Sequence, residues 1–146
     1  MKVTAIIQAR TGSSRLPGKV LLKVMDKTIL EYVMERVVKA RKVDELVVAT
    51  TESKVDAEIG SLVKMRGGNV FCGSEQDVLD RFYKAASLFK AENIVRITAD
   101  CPLIDPKIVD GVISHYFKTG ADYCSNVIEE TFPDGQDVEE IGRVHV

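Results

Sequence analysis

The stretch Ile6-Ile7-Gln8-Ala9-Arg10-Thr11-Gly12-Ser13-Ser14-Arg15-Leu16-Pro17-Gly18-Lys19 decides the fold and the position of the site. An apolar strand, predicted over residues 3–7, runs directly into a loop that combines glycine, serine and proline with three cations. Small residues let backbone N–H groups approach a ligand closely, and the cations Arg10, Arg15 and Lys19 supply positive charge. Because open α/β sheets bind ligands at the carboxyl ends of their strands, the sequence predicts a polyphosphate site in this loop.

Strand-like and helix-like segments alternate along the rest of the chain. The predicted strands cover residues 3–7, 46–50, 69–72, 94–98 and 121–125, with a further candidate over 138–146. The predicted helices begin at a Thr28/Glu31 capping box, at residue 55, at a Ser74 cap and at Asp105-Pro106. This βαβαβαβαβ order predicts an α/β fold with a mostly parallel sheet and helices on both faces.

Composition narrows the class of protein. The 146 residues predict a single domain over 1–146, and 45% hydrophobic with 29% charged residues is typical of a globular core. A net charge of −2 argues against a general nucleic-acid binder. The N-terminal apolar run is too short for a signal peptide or a membrane span, so we expect a cytoplasmic protein without membrane attachment. The three isolated cysteines favour reduced thiols, and a zinc site is not expected.

Two common phosphate-binding motifs do not describe the loop. A Walker A loop needs G-x-x-x-x-G-K-[ST], whereas five residues separate Gly12 from Gly18 and Val20 follows Lys19. The Rossmann G-x-G-x-x-G fingerprint is absent. The alternative is an ordinary surface loop with solvated cations, which three cations so close to a strand end make the weaker interpretation.

Four blocks of the sequence resemble the sugar cytidylyltransferases, and most closely the spore coat polysaccharide biosynthesis protein F group. That group is related to acylneuraminate and 3-deoxy-manno-octulosonate cytidylyltransferases. The blocks occur in the family's order and cover residues 9–19, 72–82, 96–105 and 131–139. The resemblance implies a nucleotide-diphospho-sugar transferase (Rossmann-like) fold. Family members continue well beyond the position of residue 146. The resemblance therefore also implies that this chain lacks a C-terminal portion. In the family that portion carries a further acidic residue that helps to hold metal, part of the sugar pocket and dimer contacts.

The resemblance implies transfer of CMP from CTP to a sugar or sugar acid, with Mg²⁺ as cofactor and pyrophosphate released. Arg15 and Lys19 are the implied catalytic residues, and Asp100 is the implied Mg²⁺ ligand. From the residues alone, Asp100 is equally well explained as a strand-end aspartate that caps a turn. The implied nucleotide-binding residues are Gln8, Ala9, Arg10, Gly12, Ser13, Ser14, Arg15, Lys19, Ser74 and Asp77.

Several of these residues also have a purely structural interpretation. Ser74 and Asp77 suit the cap and first-turn acid of the third helix, whose apolar face is predicted to include Leu79. Arg81 lies four residues after Asp77, so a helix-surface ion pair is the expected role. Gln8 either ends the buried part of the first strand or faces the nucleotide.

The resemblance makes Asp134 and Asp137 candidates for the sugar side of the site, although aspartate is common in turns. Three functions remain open: the cytidylyltransferase, a nucleotide-binding fragment without catalysis, and a glycosyltransferase of the same fold that uses a nucleotide sugar. Dimerisation is a further possibility, because apolar faces without a C-terminal partner need cover.

Overall fold

The computed structural model describes residues 1–127 and 132–143. Thr131 of the fourth block and residues 144–146 of the last predicted strand lie outside these ranges. The strands are β1 (Val3–Gln8), β2 (Lys23–Val24), β3 (Lys27–Thr28), β4 (Glu45–Thr51), β5 (Asn69–Gly73), β6 (Asn93–Thr98), β7 (Tyr123–Ser125) and β8 (Glu139–Arg143). The helices are α1 (Ile29–Val37), α2 (Ala57–Met65), α3 (Val78–Leu88) and α4 (Pro106–Thr119).

The main sheet has the strand order β5-β4-β1-β6-β8-β7. The first four of these strands are parallel, and β8 runs antiparallel to both β6 and β7. The predicted α/β fold with a mostly parallel sheet is therefore confirmed. A small hairpin, β2–β3, was not predicted. It lies between α1 and the loop that follows β1, residues 9–19, which we call the phosphate-loop candidate. Met25, at the tip of the hairpin, has φ 60°.

Alternating strand residues divide the core between two faces. Ala5, Ile7 and Val95 pack with the apolar residues of α1, α2 and α4. Ile6 and Ala49 pack with Phe82 and the alanines of α3 on the opposite face. Helices thus cover both faces, as the sequence predicts.

The helix ends confirm some local predictions and correct others. Thr28 and Glu31 form the predicted capping box of α1, and Asp105 caps α4 before Pro106. The prediction that Ser74 caps α3 is wrong, because the Asp77 side chain accepts from the Asp80 N–H and the helix begins at Val78. Ser74 lies one step earlier, where its hydroxyl accepts from the Asp77 N–H at 3.0 Å.

The strand order places the site. From β1 the chain adds β4 and β5 on one side of the sheet and then returns to add β6 on the other side of β1. The loops that follow β1 and β6 therefore diverge and leave a crevice between them. Such a reversal of strand order is where open α/β sheets bind ligands.

Candidate active site

The crevice at the carboxyl ends of β1 and β6 is a cavity of about 280 Å³. It brings together the cationic loop that follows β1 and the residues that follow β6. Its walls are Gln8, Arg10, Ser13, Ser14, Arg15, Lys19, Val20, Thr98, Ala99 and Asp100.

Lys19 and Asp100 meet across this crevice. The Lys19 Nζ lies 2.9 Å from Asp100 Oδ2, and both side chains are partly exposed. The Lys19 ammonium holds the pKa of the Asp100 carboxyl below its usual value, burial opposes that effect, and a hydrogen bond from Thr98 reinforces it. Asp100 is thus an ionised carboxylate with a cation already beside it.

A single residue, Thr11, closes the loop into a compact turn. Its carbonyl accepts hydrogen bonds from the Ser13 N–H and the Gly18 N–H, each at 2.8 Å. Gly18 has φ 70°, a left-handed conformation that glycine adopts without steric cost. Residues 12–17 therefore form a closed loop, and a short 3-10 turn, Lys19–Leu21, leads out of it.

The charged and small residues of this loop face solvent on the cleft side. Arg10, Gly12, Ser14 and Arg15 are exposed. Within residues 1–127 and 132–143, neither arginine is paired with a carboxylate, so both guanidinium groups are free to receive an anion. Ala9 differs, because it is buried and its N–H donates to the Ala49 carbonyl at 3.1 Å.

A second loop, residues 73–77, approaches the first from the β5 side. A side-chain carbon added at Gly12 would lie 3.9 Å from Glu75 Oε1, so the two loops nearly touch. Arg81 is wholly buried and does not form the predicted surface pair with Asp77; its Nη1 donates to the Ser74 carbonyl at 2.7 Å. The prediction that Leu79 belongs to the buried face of α3 is also wrong, because Leu79 is 81% exposed, whereas Phe82 of the same helix is buried.

Gln8 lies at the floor of the crevice, on the β6 side. Arg96 of β6 donates to Gln8 Oε1 at 3.4 Å and to Glu139 Oε2 at 2.6 Å. The polar residue at the end of β1 therefore joins Arg96 and Glu139 in a polar group on the α3 side of the sheet, where the guanidinium carbon of Arg96 lies 5.9 Å from the centroid of the Phe82 ring.

Asp134 and Asp137 are exposed residues of the turn that precedes β8. Gln136 ties this turn to the start of α4, because its side chain donates to the Leu103 carbonyl at 2.9 Å and accepts from the Asp105 N–H at 2.7 Å. Burial raises the pKa of the Cys101 thiol, and the negative charges of Asp100, Asp137 and Asp134 act in the same direction. Asp134 and Asp137 are not among the residues that line the crevice.

Asp100 is the residue that suits a divalent cation. Among the described residues, no three His, Cys, Asp or Glu side chains are grouped as a metal site. Mg²⁺ often takes only one or two carboxylates and completes its shell with substrate phosphates and water. The ammonium at 2.9 Å shows that a cation fits against Asp100, so the residues present are compatible with Mg²⁺.

Asp56 was not predicted from the sequence, and its carboxylate accepts hydrogen bonds from the loop residue Thr11. Asp56 is 2% exposed and accepts from the Thr11 N–H at 2.7 Å and the Thr11 hydroxyl at 2.5 Å. Its other oxygen accepts from the Thr51 hydroxyl. The available signal was an aspartate shortly after Thr50 and Thr51, the two buried threonines that end β4. An aspartate just before a helix is commonly an N-cap, so this signal does not by itself indicate a contact with the loop.

None of the helices in the described part of the chain is long and apolar enough to cross a lipid bilayer. The chain spans about half the length of the curated relatives it matches. Spore coat polysaccharide biosynthesis protein SpsF of Bacillus subtilis is 40% identical over 122 residues, which are 81% of this chain and 51% of that protein.

Solved structures agree with this relationship. A cytidylyltransferase from Leptospira borgpetersenii superposes with a TM-score of 0.92 at 39% identity, over 97% of this chain and 60% of that one. CMP:2-keto-3-deoxy-manno-octonic acid synthetase complexed with CTP superposes with a TM-score of 0.72 at 29% identity, over 83% of this chain and 49% of that one. The cytidylyltransferase family model matches residues 4–140, from the start of β1 into β8. Most of the residues that line the crevice belong to two of the four sequence blocks described above, residues 9–19 and 96–105. Because the family model matches most of its length, the chain belongs to the cytidylyltransferase family.

Proposed function

We propose that this chain binds CTP with Mg²⁺ and transfers CMP to a hydroxyl group of a sugar or sugar acid, for synthesis of a surface polysaccharide. The observation that carries the proposal is the contact of Lys19 with Asp100 at 2.9 Å, which puts the cationic loop and a carboxylate in one crevice. Family membership and the relative that was solved with CTP support the choice of nucleotide. The SpsF similarity supports the polysaccharide role.

The loop would hold the triphosphate. The backbone N–H groups of Gly12 and Ser14 and the Ser13 and Ser14 hydroxyls would donate to phosphate oxygens, whereas the Ser13 N–H already donates to the Thr11 carbonyl. Arg10 and Arg15 present planar guanidinium forks, and Lys19 presents a compact positive charge. These contacts neutralise an anion that water would otherwise solvate.

The reaction needs charge stabilisation more than covalent chemistry from the protein. The acceptor hydroxyl oxygen bonds to the α-phosphorus and gives up its proton to solvent, the bond from that phosphorus to the oxygen that bridges the α- and β-phosphates breaks, and pyrophosphate leaves with the bridging oxygen. Negative charge grows on the α-phosphoryl oxygens and on the leaving group. Arg15 and Lys19 would stabilise that charge, and positioning of the reactants would supply much of the remaining rate.

Asp100 would hold Mg²⁺ together with the phosphates. When bound, the ion supplies Lewis-acid polarisation of a phosphoryl oxygen and neutralises charge on the leaving group. Lys19 must leave Asp100 for this to occur, and the phosphates offer its ammonium a new partner. Ser74 and Asp77, in the loop that approaches Gly12, are assigned to the nucleoside, and Asp134 and Asp137 to the acceptor.

Nucleotide binding without turnover is the second candidate, because the same cationic loop and carboxylate would hold CTP whether or not a transfer follows. Pyrophosphate release, measured with CTP, Mg²⁺ and a panel of sugar acids, distinguishes the two. Release supports the transferase. CTP binding without release supports the binding function, and absence of CTP binding contradicts both.

A further inference from the structure

The side chain of Asp56 attaches the phosphate-loop candidate to the protein interior. Both donors of Thr11, its N–H and its hydroxyl, go to Asp56 Oδ1 at 2.7 and 2.5 Å. The Thr11 carbonyl in turn accepts from Ser13 and Gly18. Both donors of Thr11 and its carbonyl are therefore used to hold the loop, and no donor of Thr11 is left for an anionic ligand.

Asp56 is fixed from the other side. It lies at the start of α2, and the Thr51 hydroxyl at the end of β4 donates to its Oδ2. Burial disfavours the charged form of Asp56, but the hydrogen bonds from Thr11 and Thr51 and the positive charge of Arg81 together lower its pKa below the usual value. The carboxylate is therefore a charged, rigid acceptor in the interior.

Arg81 explains why a charge is kept there. Its side chain is wholly buried, and its Nε and Nη2 have no hydrogen-bond partner in the described part of the chain. Asp56 and Glu75 are the negative groups that act on it. Arg81 also donates to the Ser74 carbonyl of the second loop. Two buried charged side chains thus contact the two loops of the crevice, Asp56 through Thr11 and Arg81 through Ser74.

We infer that Asp56 is a positioning residue for triphosphate binding, which acts through Thr11 to hold the N–H groups and cations of residues 12–19 in their binding geometry. The inference rests on the proposed function, because it assigns the loop to phosphates. A preorganised donor set binds an anion without spending free energy on ordering the loop. Loss of the hydrogen bonds between Thr11 and Asp56 should therefore weaken the binding of CTP, which has three phosphates, more than the binding of CMP, which has one.

Thr11 carries the test better than Asp56. Replacing Asp56 would also remove the acceptor of the Thr51 hydroxyl and a negative charge that acts on the buried Arg81, and buried polar groups left without a partner are destabilising. Thr11→Val removes only the hydroxyl donor and keeps the shape and the N–H. Thr11→Ser retains the hydroxyl and is the rescuing variant. Thr119→Val is the matched control, since it removes a threonine hydroxyl bonded to the His115 carbonyl at the far end of α4.

The measurement is the ratio of CMP to CTP dissociation constants, obtained by calorimetry with Mg²⁺, alongside the urea midpoint of each variant. We expect Thr11→Val to weaken CTP binding by about threefold to tenfold, part of the worth of one hydrogen bond to a charged group, with CMP binding changed less. Thr11→Ser and Thr119→Val should keep the wild-type ratio. A folded Thr11→Val protein with an unchanged ratio overturns the inference. If the wild-type protein does not bind CTP, the proposed function fails instead.

Discussion

Replacing Lys19 with methionine should tighten the binding of a divalent cation to the nucleotide-free protein. In the free protein the Lys19 ammonium lies 2.9 Å from Asp100 and competes for the carboxylate that a cation would use. Methionine has a similar length and no charge, so it removes the competitor and leaves the crevice filled. The same substitution should weaken CTP binding, because it removes a phosphate partner.

The size of the effect follows from the exposure of the pair. The side chains of Lys19 and Asp100 are 35% and 45% exposed, so water screens their attraction. Measured pairs of this kind are worth about 0.2–1 kcal/mol. The dissociation constant of the cation should therefore fall by a factor of about 1.4 to about 5.

Mn²⁺ is a suitable probe, because its paramagnetism reports binding through electron paramagnetic resonance or water proton relaxation. Lys27→Met is the matched control: Lys27 pairs with Glu35 at 2.8 Å, with exposures of 31% and 47%, and that pair does not line the crevice. The control should leave Mn²⁺ binding unchanged. Unchanged or weaker Mn²⁺ binding in Lys19→Met would refute the competition between ammonium and cation at Asp100.

Three further predictions concern stability and pH. Thr28→Ala should lower the free energy of unfolding by about 1 kcal/mol in urea titrations, because it removes the N-cap bond of α1. Gly73→Ala should cost about 1–3 kcal/mol, since an added Cβ would lie 2.6 Å from an aromatic ring carbon, whereas Gly111→Ala, with open space on α4, should stabilise by about 0.5–1 kcal/mol; equal effects would contradict the packing. Carboxyl NMR titration should place the pKa of Asp100 below its usual value in the wild type and higher in Lys19→Met. Because the folded pKa of Asp100 is depressed, the stability it contributes should be present above the unfolded pKa and lost as pH falls through the folded one.

Local chemistry was sufficient to predict much of the fold. The Thr28/Glu31 spacing and the Asp105-Pro106 start correctly predicted the beginnings of two helices, because each satisfies backbone groups within one turn. The strand-then-loop pattern around Arg10 and Lys19 correctly placed cations at a sheet edge. These features depend on residues that are close in the sequence.

The errors arise where distant contacts decide the outcome. Arg81 has the spacing of a surface ion pair, but its side chain is buried and donates to the carbonyl of Ser74, a contact that the spacing does not reveal. Ser74 and Asp77 are both competent caps, and only the path of the chain after β5 selects Asp77. The antiparallel pairing of β8 with β6 and β7 likewise depends on the return of the chain through the turn at residues 132–138.

The central claim is that the loop after β1 and Asp100 form one site for a triphosphate and its cation. A crystal structure with CTP and Mg²⁺ tests it most directly. We predict phosphates over residues 12–14, within hydrogen-bonding distance of Arg15 and Lys19, with the cation on Asp100 and Lys19 no longer bonded to it. A bound nucleotide outside this crevice, with the Lys19–Asp100 pair intact, would contradict the account.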